Sequence, residues 1–319
     1  MPIATPGTKI LAADYLGLRN RVNEILGDAG VVEYLGYGQT LDSDSLGAQG
    51  TAVGRMIKVA QWQALRDDIN TAHQHQTGNT FDTTALPQIT LGTKILASHV
   101  NAYETCVNVI VQNPLQAFVG GMASSALGSP RINGTAWGGT GGLSIVLEET
   151  VTFSTYNKAR YFFNSGGAIR FTLNHPVTAT SNNAAWANVL NNLGVISVKA
   201  KSTNSAGNLG GTQLGFYEMG TSFTRIFSHS GGGSGGNYGG GYGYYGGGSV
   251  VVAIDARRNG SSITFRVILS DRTGDSIANS IDPGTSCSVS SYKAVNPLVG
   301  IETPSFTAGT WTRSPTNLA

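Results

Sequence analysis

Charge is scarce in this chain. Lys, Arg, Asp and Glu make up only 12% of its 319 residues, about half the share of an ordinary soluble domain. The formal net charge is +2 and no Lys/Arg run stands out, so nothing points to nucleic acid as a partner. Arg257-Arg258 is an isolated pair and reads as a solvated strand end. Cysteine is nearly missing. Cys106 and Cys287 form no Cys-x-x-Cys pair; they read as two buried thiols, with one cross-domain disulfide as the alternative. No run approaches the roughly 18 apolar residues of a membrane-spanning helix. The start, Met1–Pro6, has neither the basic nor the apolar region of a signal peptide. No phosphate-binding loop or dinucleotide fingerprint occurs. Gly231–Gly235 matches a nucleophile-elbow pattern only inside low-complexity sequence, so that reading is rejected. No cofactor is expected.

What fills the gap is Gly (44 residues) with Ser, Thr and Asn, a composition common in extracellular and virion β-proteins and uncommon in metabolic enzymes. The sequons at Asn133 and Asn259 read as Asn-Gly turns.

A repeat dominates the first third. Gly7-Thr8-Lys9-Ile10-Leu11-Ala12, Gly54-Arg55-Met56-Ile57-Lys58-Val59 and Gly92-Thr93-Lys94-Ile95-Leu96-Ala97 each precede a helical pattern. Aligned on the glycines, Tyr15, Leu18, Val22 and Ile25 match Trp62, Leu65, Ile69 and Ala72, then Val100, Tyr103, Val107 and Ile110. Offsets of three and four put each set on one helix face. Such stripes must pack on each other or on neighbouring chains, which makes Tyr15, Leu18, Val22, Trp62, Leu65, Ile69, Tyr103, Val107 and Ile110 candidates for an assembly interface. Helices are expected at 12–26, 59–72 and 98–111. The linkers 36–54 and 76–92 are long enough to reach a neighbouring subunit.

Residues 1–115 thus read as a helical attachment region, 116–142 as a Gly-rich connection and 143–319 as a β-domain. In the last, period two appears in 144–153, 195–200, 214–218, 222–228, 249–256 and 263–269, the final pair joined at Asn259-Gly260. Tyr161–Phe163 and Ile169–Leu173 read as a hairpin around 164–167, and 182–193 as an Asn-capped helix. The fold class is α+β and multidomain: a helical repeat region, then a mainly antiparallel, jelly-roll-like β-sandwich.

Within 231–248, 12 of 18 residues are Gly and four are tyrosines, Tyr238, Tyr242, Tyr244 and Tyr245. Tyr supplies rigid contact area and Gly adaptability, so the four are candidate receptor-binding residues, for instance on surface polysaccharide; a loop without a role is the plainer reading. His73-x-His75 invites a metal, but a position just past a helix end also favours His as a cap. His175 and His229 have no Cys/His neighbour in sequence. Glu148 and Glu149 point to opposite faces of a strand, against a glycosidase pair from these two; Asp275 and Asp282 are the other carboxylates considered.

The string Ala159-Arg160-Tyr161-Phe162-Phe163-Asn164-Ser165-Gly166-Gly167-Ala168-Ile169-Arg170-Phe171 resembles a segment of virion structural proteins of tailed bacteriophages, especially cyanophages. Trp186, Gly215-Phe216-Tyr217 and Phe223–Phe227 continue the likeness, as do Asp14-Tyr15-x-x-Leu18-Arg19-x-x-Val22 and Gly36-Tyr37-Gly38-Gln39 near the start. The resemblance implies a place in the virion tail, as a tail fibre or baseplate-associated component touching the host surface, and transfers no catalytic residue. A non-enzymatic homo-oligomer, most simply a trimer, is expected, made in the host cytoplasm and bound to other tail proteins. A neck or collar component and a polysaccharide-degrading tailspike-like enzyme are the alternatives.

Overall fold

In the computed structural model every copy of the repeat opens a helix: α1 (Ala12–Leu26), α3 (Val59–Thr77) and α4 (Ala97–Gln112), with the four-residue α2 (Asp42–Ser45) between the first two. The structure describes residues 10–27, 36, 41–45, 57–92, 94–114, 116, 118, 121–138, 144–176, 181–232, 249–271, 280–295 and 301–314. The chain is α+β and divides into two compact units. One comprises 1–123 with 160–166 and 293–302; the other takes 124–159, 167–292 and 303–319.

The repeat recurs in three dimensions down to its caps. Leu11, Lys58 and Leu96 precede the helices and offer no side-chain cap. The residue three positions on, always seven after the repeat glycine, turns back instead. Asp14 Oδ2 accepts the Leu11 N–H (2.8 Å), Gln61 Oε1 that of Lys58 (2.7 Å) and His99 Nδ1 that of Leu96 (3.3 Å). Three different side chains thus satisfy the same orphan donor.

The three stripes form one core. Their residues, Tyr15 to Ile110, are at most 1% exposed and belong to a single cluster, with Ile10, Ile57 and Ile95 of the repeat motif packed against it. Trp62 is central: the Tyr15 and Tyr103 rings meet it edge-on at 5.2 and 5.4 Å. Contacts fix the helix directions. Trp62 meets Tyr103 near the starts of α3 and α4, and farther along Gln76 Nε2 donates to the carbonyls of Ile110 (2.8 Å) and Asn113 (3.0 Å). Tyr15 sits at Trp62, while Arg21, later in α1, donates to Asn108 of α4 (2.6 Å). All three helices therefore run parallel, which obliges the chain to travel back between them.

The second return is visible. α3 continues past the expected Ala72 to Thr77 and stops at Gly78, whose φ of +82° is a left-handed C-terminal position that glycine tolerates. The following segment then runs antiparallel along α3. Asn70 Oδ1 accepts the Phe81 N–H, Arg66 Nε donates to the Leu86 carbonyl and Gln63 Nε2 to that of Ile89, at 3.0, 3.2 and 3.1 Å. Leu86 and Ile89 close the core from that side. This part of the long linkers returns within its own chain.

The second unit holds two antiparallel sheets among the described residues. One contains β1 (Met122–Ala126), β2 (Arg131–Ile132), β4 (Ala168–Asn174), β5 (Val195–Val198), β6 (Thr203–Ser205), β7 (Gly211–Thr212) and β11 (Ser286–Ala294), ordered β1-β11-β4-β5-β6-β7 with β2 also on β11. The other contains β3 (Ser144–Thr152), β8 (Thr224–Gly232), β9 (Ser249–Asn259), β10 (Ser262–Asp271), β12 (Ser305–Thr307) and β13 (Trp311–Ser314), ordered β12-β3-β10-β9-β8 with β13 also on β3. β9 and β10 turn at Gly260, φ +59°, as Asn259-Gly260 suggests. The inner faces meet, with Phe171 of β4 against Phe265 of β10 at 5.0 Å.

Both sides of this pair of sheets are closed. On one side, Thr212 of β7 donates to the Ile226 carbonyl of β8. On the other, two broken edges meet: Trp311 Nε1 donates to the Arg131 carbonyl (3.0 Å), and Gly128, between β1 and β2, lies under Phe306 of β12. Gly309 sits between β12 and β13, where a Cβ would overlap the Glu148 carbonyl oxygen.

Three expectations need correction. Tyr161–Phe163 is not a strand: it lies in α5 (Tyr156–Asn164), and only 168–174 is extended. Residues 159 to 164 are all buried, so beyond its first turn the helix is covered all round and shows no exposed face to betray its period. Leu214–Glu218 is a turn, in which Glu218 Oε2 accepts the Gly215 N–H (2.8 Å). The connection 116–142 carries β1, β2 and the fully buried Trp137. The helix expected at 182–193 is α6 (Ser181–Leu193); it starts one residue earlier, which places Asn182 inside the helix rather than at its cap.

Candidate functional site

Two buried polar centres stand out in the β unit. The first is assembled from five residues on four chain segments. Trp137 Nε1 donates to Thr285 Oγ1 (3.0 Å), and Thr285 Oγ1 lies 2.9 Å from His175 Nδ1. His175 Nε2 is 3.1 Å from Asn183 Oδ1, Asn183 Nδ2 donates to Asp282 Oδ2 (2.6 Å), and the Asp282 N–H returns to Asn183 Oδ1 (3.0 Å).

Valence fixes one proton. Asn183 Oδ1, which also takes the Asp282 N–H, can only accept, so His175 Nε2 donates to it. A neutral imidazole then accepts the Thr285 hydroxyl proton at Nδ1. Burial pushes its pKa below the ordinary value, against an opposing pull from Asn183 and the Asp282 charge. Trp137, His175, Asn183 and Thr285 are at most 1% exposed. Hydroxyl, imidazole and amide follow one another in the order of a nucleophile with its base and orienting group. The hydroxyl is nevertheless sealed from solvent and already engaged by Trp137, so the arrangement fastens the 133–137 and 281–285 segments, β4 and α6 rather than attacking a substrate.

The second centre is Glu149, in the corner where the broken edges meet. The strand alternation expected of Glu148-Glu149 is seen. Glu148 is exposed and Glu149 is 1% exposed, on the inner face of β3. Neither Glu149 carboxylate oxygen has a hydrogen-bond partner. Arg131 Nε, 3.7 Å away, is the cation facing it, and the buried Cys287 thiol of β11 feels its charge. Burial pushes the Glu149 carboxyl up to about 7, with Arg131 opposing. Burial and the Glu149 charge together hold the Cys287 thiol well above its usual range.

On the outer face of the second sheet, strand register lines up Glu148, Arg266, Asp255 and Arg225 across β3, β10, β9 and β8. Arg266 donates twice to Glu148 Oε1 (2.8 and 2.6 Å), and Arg225 pairs with Asp255. The neighbouring rows are short and polar, as in Thr150–Thr264 and Thr152–Ser262, which bond at 3.2 and 3.0 Å. Phe223 lies between Arg257 and Arg266.

The residues singled out from sequence fare differently. Tyr238, Tyr242, Tyr244 and Tyr245 lie outside the described residues, as does Asp275. Asp282 belongs to the His175 network. Tyr15, Leu18, Val22, Trp62, Leu65, Ile69, Tyr103, Val107 and Ile110 are covered by the chain's own helices, which leaves them no surface to offer a partner. His73 and His75 lie inside α3, not past its end. Two residues apart on a helix, their side chains diverge by roughly 200° and cannot share an ion. His73 stacks on Phe81 at 3.8 Å, and burial lowers the His75 pKa to about 4. Among the described residues no three His, Cys, Asp or Glu side chains gather as a metal site, and no helix is long and apolar enough to cross a membrane. Cys106 and Cys287 are buried thiols that form no disulfide. No family model, curated protein or solved structure matches this chain.

Proposed function

We propose that this chain is a structural protein of a bacteriophage tail, a tail fibre or baseplate-associated component. It attaches through its N-terminal helical repeat region and meets the host surface with a jelly-roll-like β-domain. Residues 231–248, which run from the last two positions of β8 to the start of β9, are the proposed contact, through Tyr238, Tyr242, Tyr244 and Tyr245. The role is non-enzymatic and needs no cofactor or nucleic acid. The protein acts in the virion as a homo-oligomer, a trimer in the simplest case.

The observation that carries this reading is the resemblance at Ala159–Phe171. In space the string is a helix, a turn and a strand: α5, a left-handed Gly166 (φ +81°), and β4. Almost all of it is buried. The likeness is therefore one of core packing, which speaks for kinship of fold rather than shared chemistry. The low charge and the Ser/Thr rows on the outer sheet face suit close-packed β-subunits. Docking onto tail proteins would use helix surfaces outside the buried stripes.

The test is adsorption of particles carrying the full chain against particles in which 231–248 is deleted. Loss of adsorption with assembly intact supports the attachment role. Unchanged adsorption, with assembly lost on removing the helical repeats, leaves a purely structural tail or collar component. A fall in polymer length on incubating host polysaccharide with particles would instead favour the tailspike-like enzyme.

A further inference from the structure

We propose that Glu149 and Arg131 form a proton-controlled latch on the corner where the two broken edge strands meet, closed when Glu149 is protonated and loosened when it ionises. The geometry supplies the parts. Glu149 projects inward from the middle of β3, and both of its oxygens lack a hydrogen-bond donor. Ionised, such a carboxylate demands donors that the closed corner does not offer. Protonated, it is a neutral group with one proton to place.

Three segments cover it. Arg131, in the two-residue β2, reaches in with its side chain 29% exposed, and its Nε likewise lacks a hydrogen bond. Cys287, paired with Arg131 in register, supplies a neutral thiol from β11. Trp311 holds the strap from outside through the Arg131 carbonyl, and Phe306 covers Gly128. Arg131 and Cys287 are the charged or titratable groups that act on Glu149, and only Arg131 can answer its charge.

β2 pairs with β11 through two residues, between the Leu127–Val289 and Asn133–Thr285 backbone bonds, so the short stretch 128–132 can lift while its two ends stay held. When it lifts, water and the guanidinium both reach the carboxylate. Burial places the change near pH 7. The sign follows from a carboxyl pKa that is high in the closed corner: the closed form binds the proton and loses ground as pH rises.

The test is hydrogen exchange of the full chain between pH 5.5 and 8.5, as protection factors corrected for the intrinsic pH dependence, at residues 128–132 and at the Trp311 indole N–H. One linked proton gives up to about a tenfold loss of protection per pH unit above the midpoint. Wild type should lose protection there as pH rises, and Glu149→Gln should stay protected throughout. Flat protection in wild type, or the same loss in Glu149→Gln, overturns the latch. Should the variant not fold, the carboxyl carbon resonance of Glu149 decides in wild type. Titration near neutrality in step with Trp311 exchange supports the latch. Titration in the ordinary carboxylate range, or out of step with exchange, contradicts it.

Discussion

The helical unit and the β unit put buried polar side chains to different uses. In the helical unit several of them hold a backbone in place. Asp68 is 3% exposed and accepts the N–H groups of Asp42 (2.8 Å) and Ser43 (3.0 Å) at the start of α2. Burial raises its pKa, and those same bonds pull it back down. Gln76 holds the last carbonyls of α4, while Gln63, Arg66 and Asn70 hold the return segment. A repeat cannot specify the path between its copies; these side chains do. In the β unit Thr203 and Ser205 serve the backbone in the same way, but the two buried centres do not. The His175 network closes on itself, and Glu149 has only a distant cation. The first unit spends buried polar groups on the path of its chain, and the second holds a carboxyl whose charge its surroundings barely answer.

The most disruptive way to sharpen this contrast is Trp62→Ala. Removing the ring between Tyr15 and Tyr103 should cost the helical unit roughly 3–5 kcal/mol. In thermal unfolding followed by residue-resolved hydrogen exchange, protection should collapse in α1, α3 and α4 and persist in β9 and β10. Equal loss everywhere would mean that the two units do not unfold separately.

Next comes Glu149→Gln. The folded carboxyl pKa, about 7, lies above the ordinary 4.5. The folded state therefore holds the proton more tightly, and stability falls as pH rises from about 4.5 to 7 and stays low above. The variant should match wild type near pH 4.5 and exceed it by roughly 3 kcal/mol at pH 8. Denaturant titrations at the two pH values measure the difference.

Thr285→Val attacks the satisfied network instead. It strands the Trp137 N–H and His175 Nδ1 and should cost about 1–3 kcal/mol. His175 adds a pH dependence opposite in sign to that of Glu149. Its folded pKa is lowered, so its contribution is intact above 6.5 and is lost as pH falls below. Below about pH 6.5 the two slopes oppose one another, so Glu149→Gln should uncover a fall in stability toward acid that wild type masks. The smallest effect is expected from Asn70→Ala, about 1 kcal/mol, read as faster exchange of the Phe81 amide with the stripe core unchanged.

Much of the helical unit was legible in sequence because three stripes share one period and one motif. Their common direction was not, since a stripe says which face is buried and not which way its neighbour runs. That needed Arg21–Asn108 and Gln76–Ile110. The strands around Asn259-Gly260 followed from alternation and turn chemistry. Tyr161–Phe163 misled because three large aromatics before Asn-Ser-Gly-Gly fit a strand and its turn as well as a fully covered helix and its cap. Leu214–Glu218 misled because alternation was read without seeing Gly215 pressed against the backbone of 199–202. The first polar centre had no signal at all. Its residues, 137, 175, 183, 282 and 285, come together only through the tertiary fold. Glu149 was half legible: alternation put it on the face opposite Glu148, but not in a corner without donors.

The central claim is that the three repeats pack on one another inside a single chain, in parallel. Its most direct test is a cysteine pair at Arg21 and Asn108, on the outer surface of α1 and α4, in a chain with Cys106 and Cys287 changed to Ser. After treatment with a short bis-maleimide, denaturing gels should show a cross-linked monomer, with peptides 21 and 108 joined within one chain. A predominance of covalent dimers or trimers through the same two positions would place the stripes between chains and contradict the account.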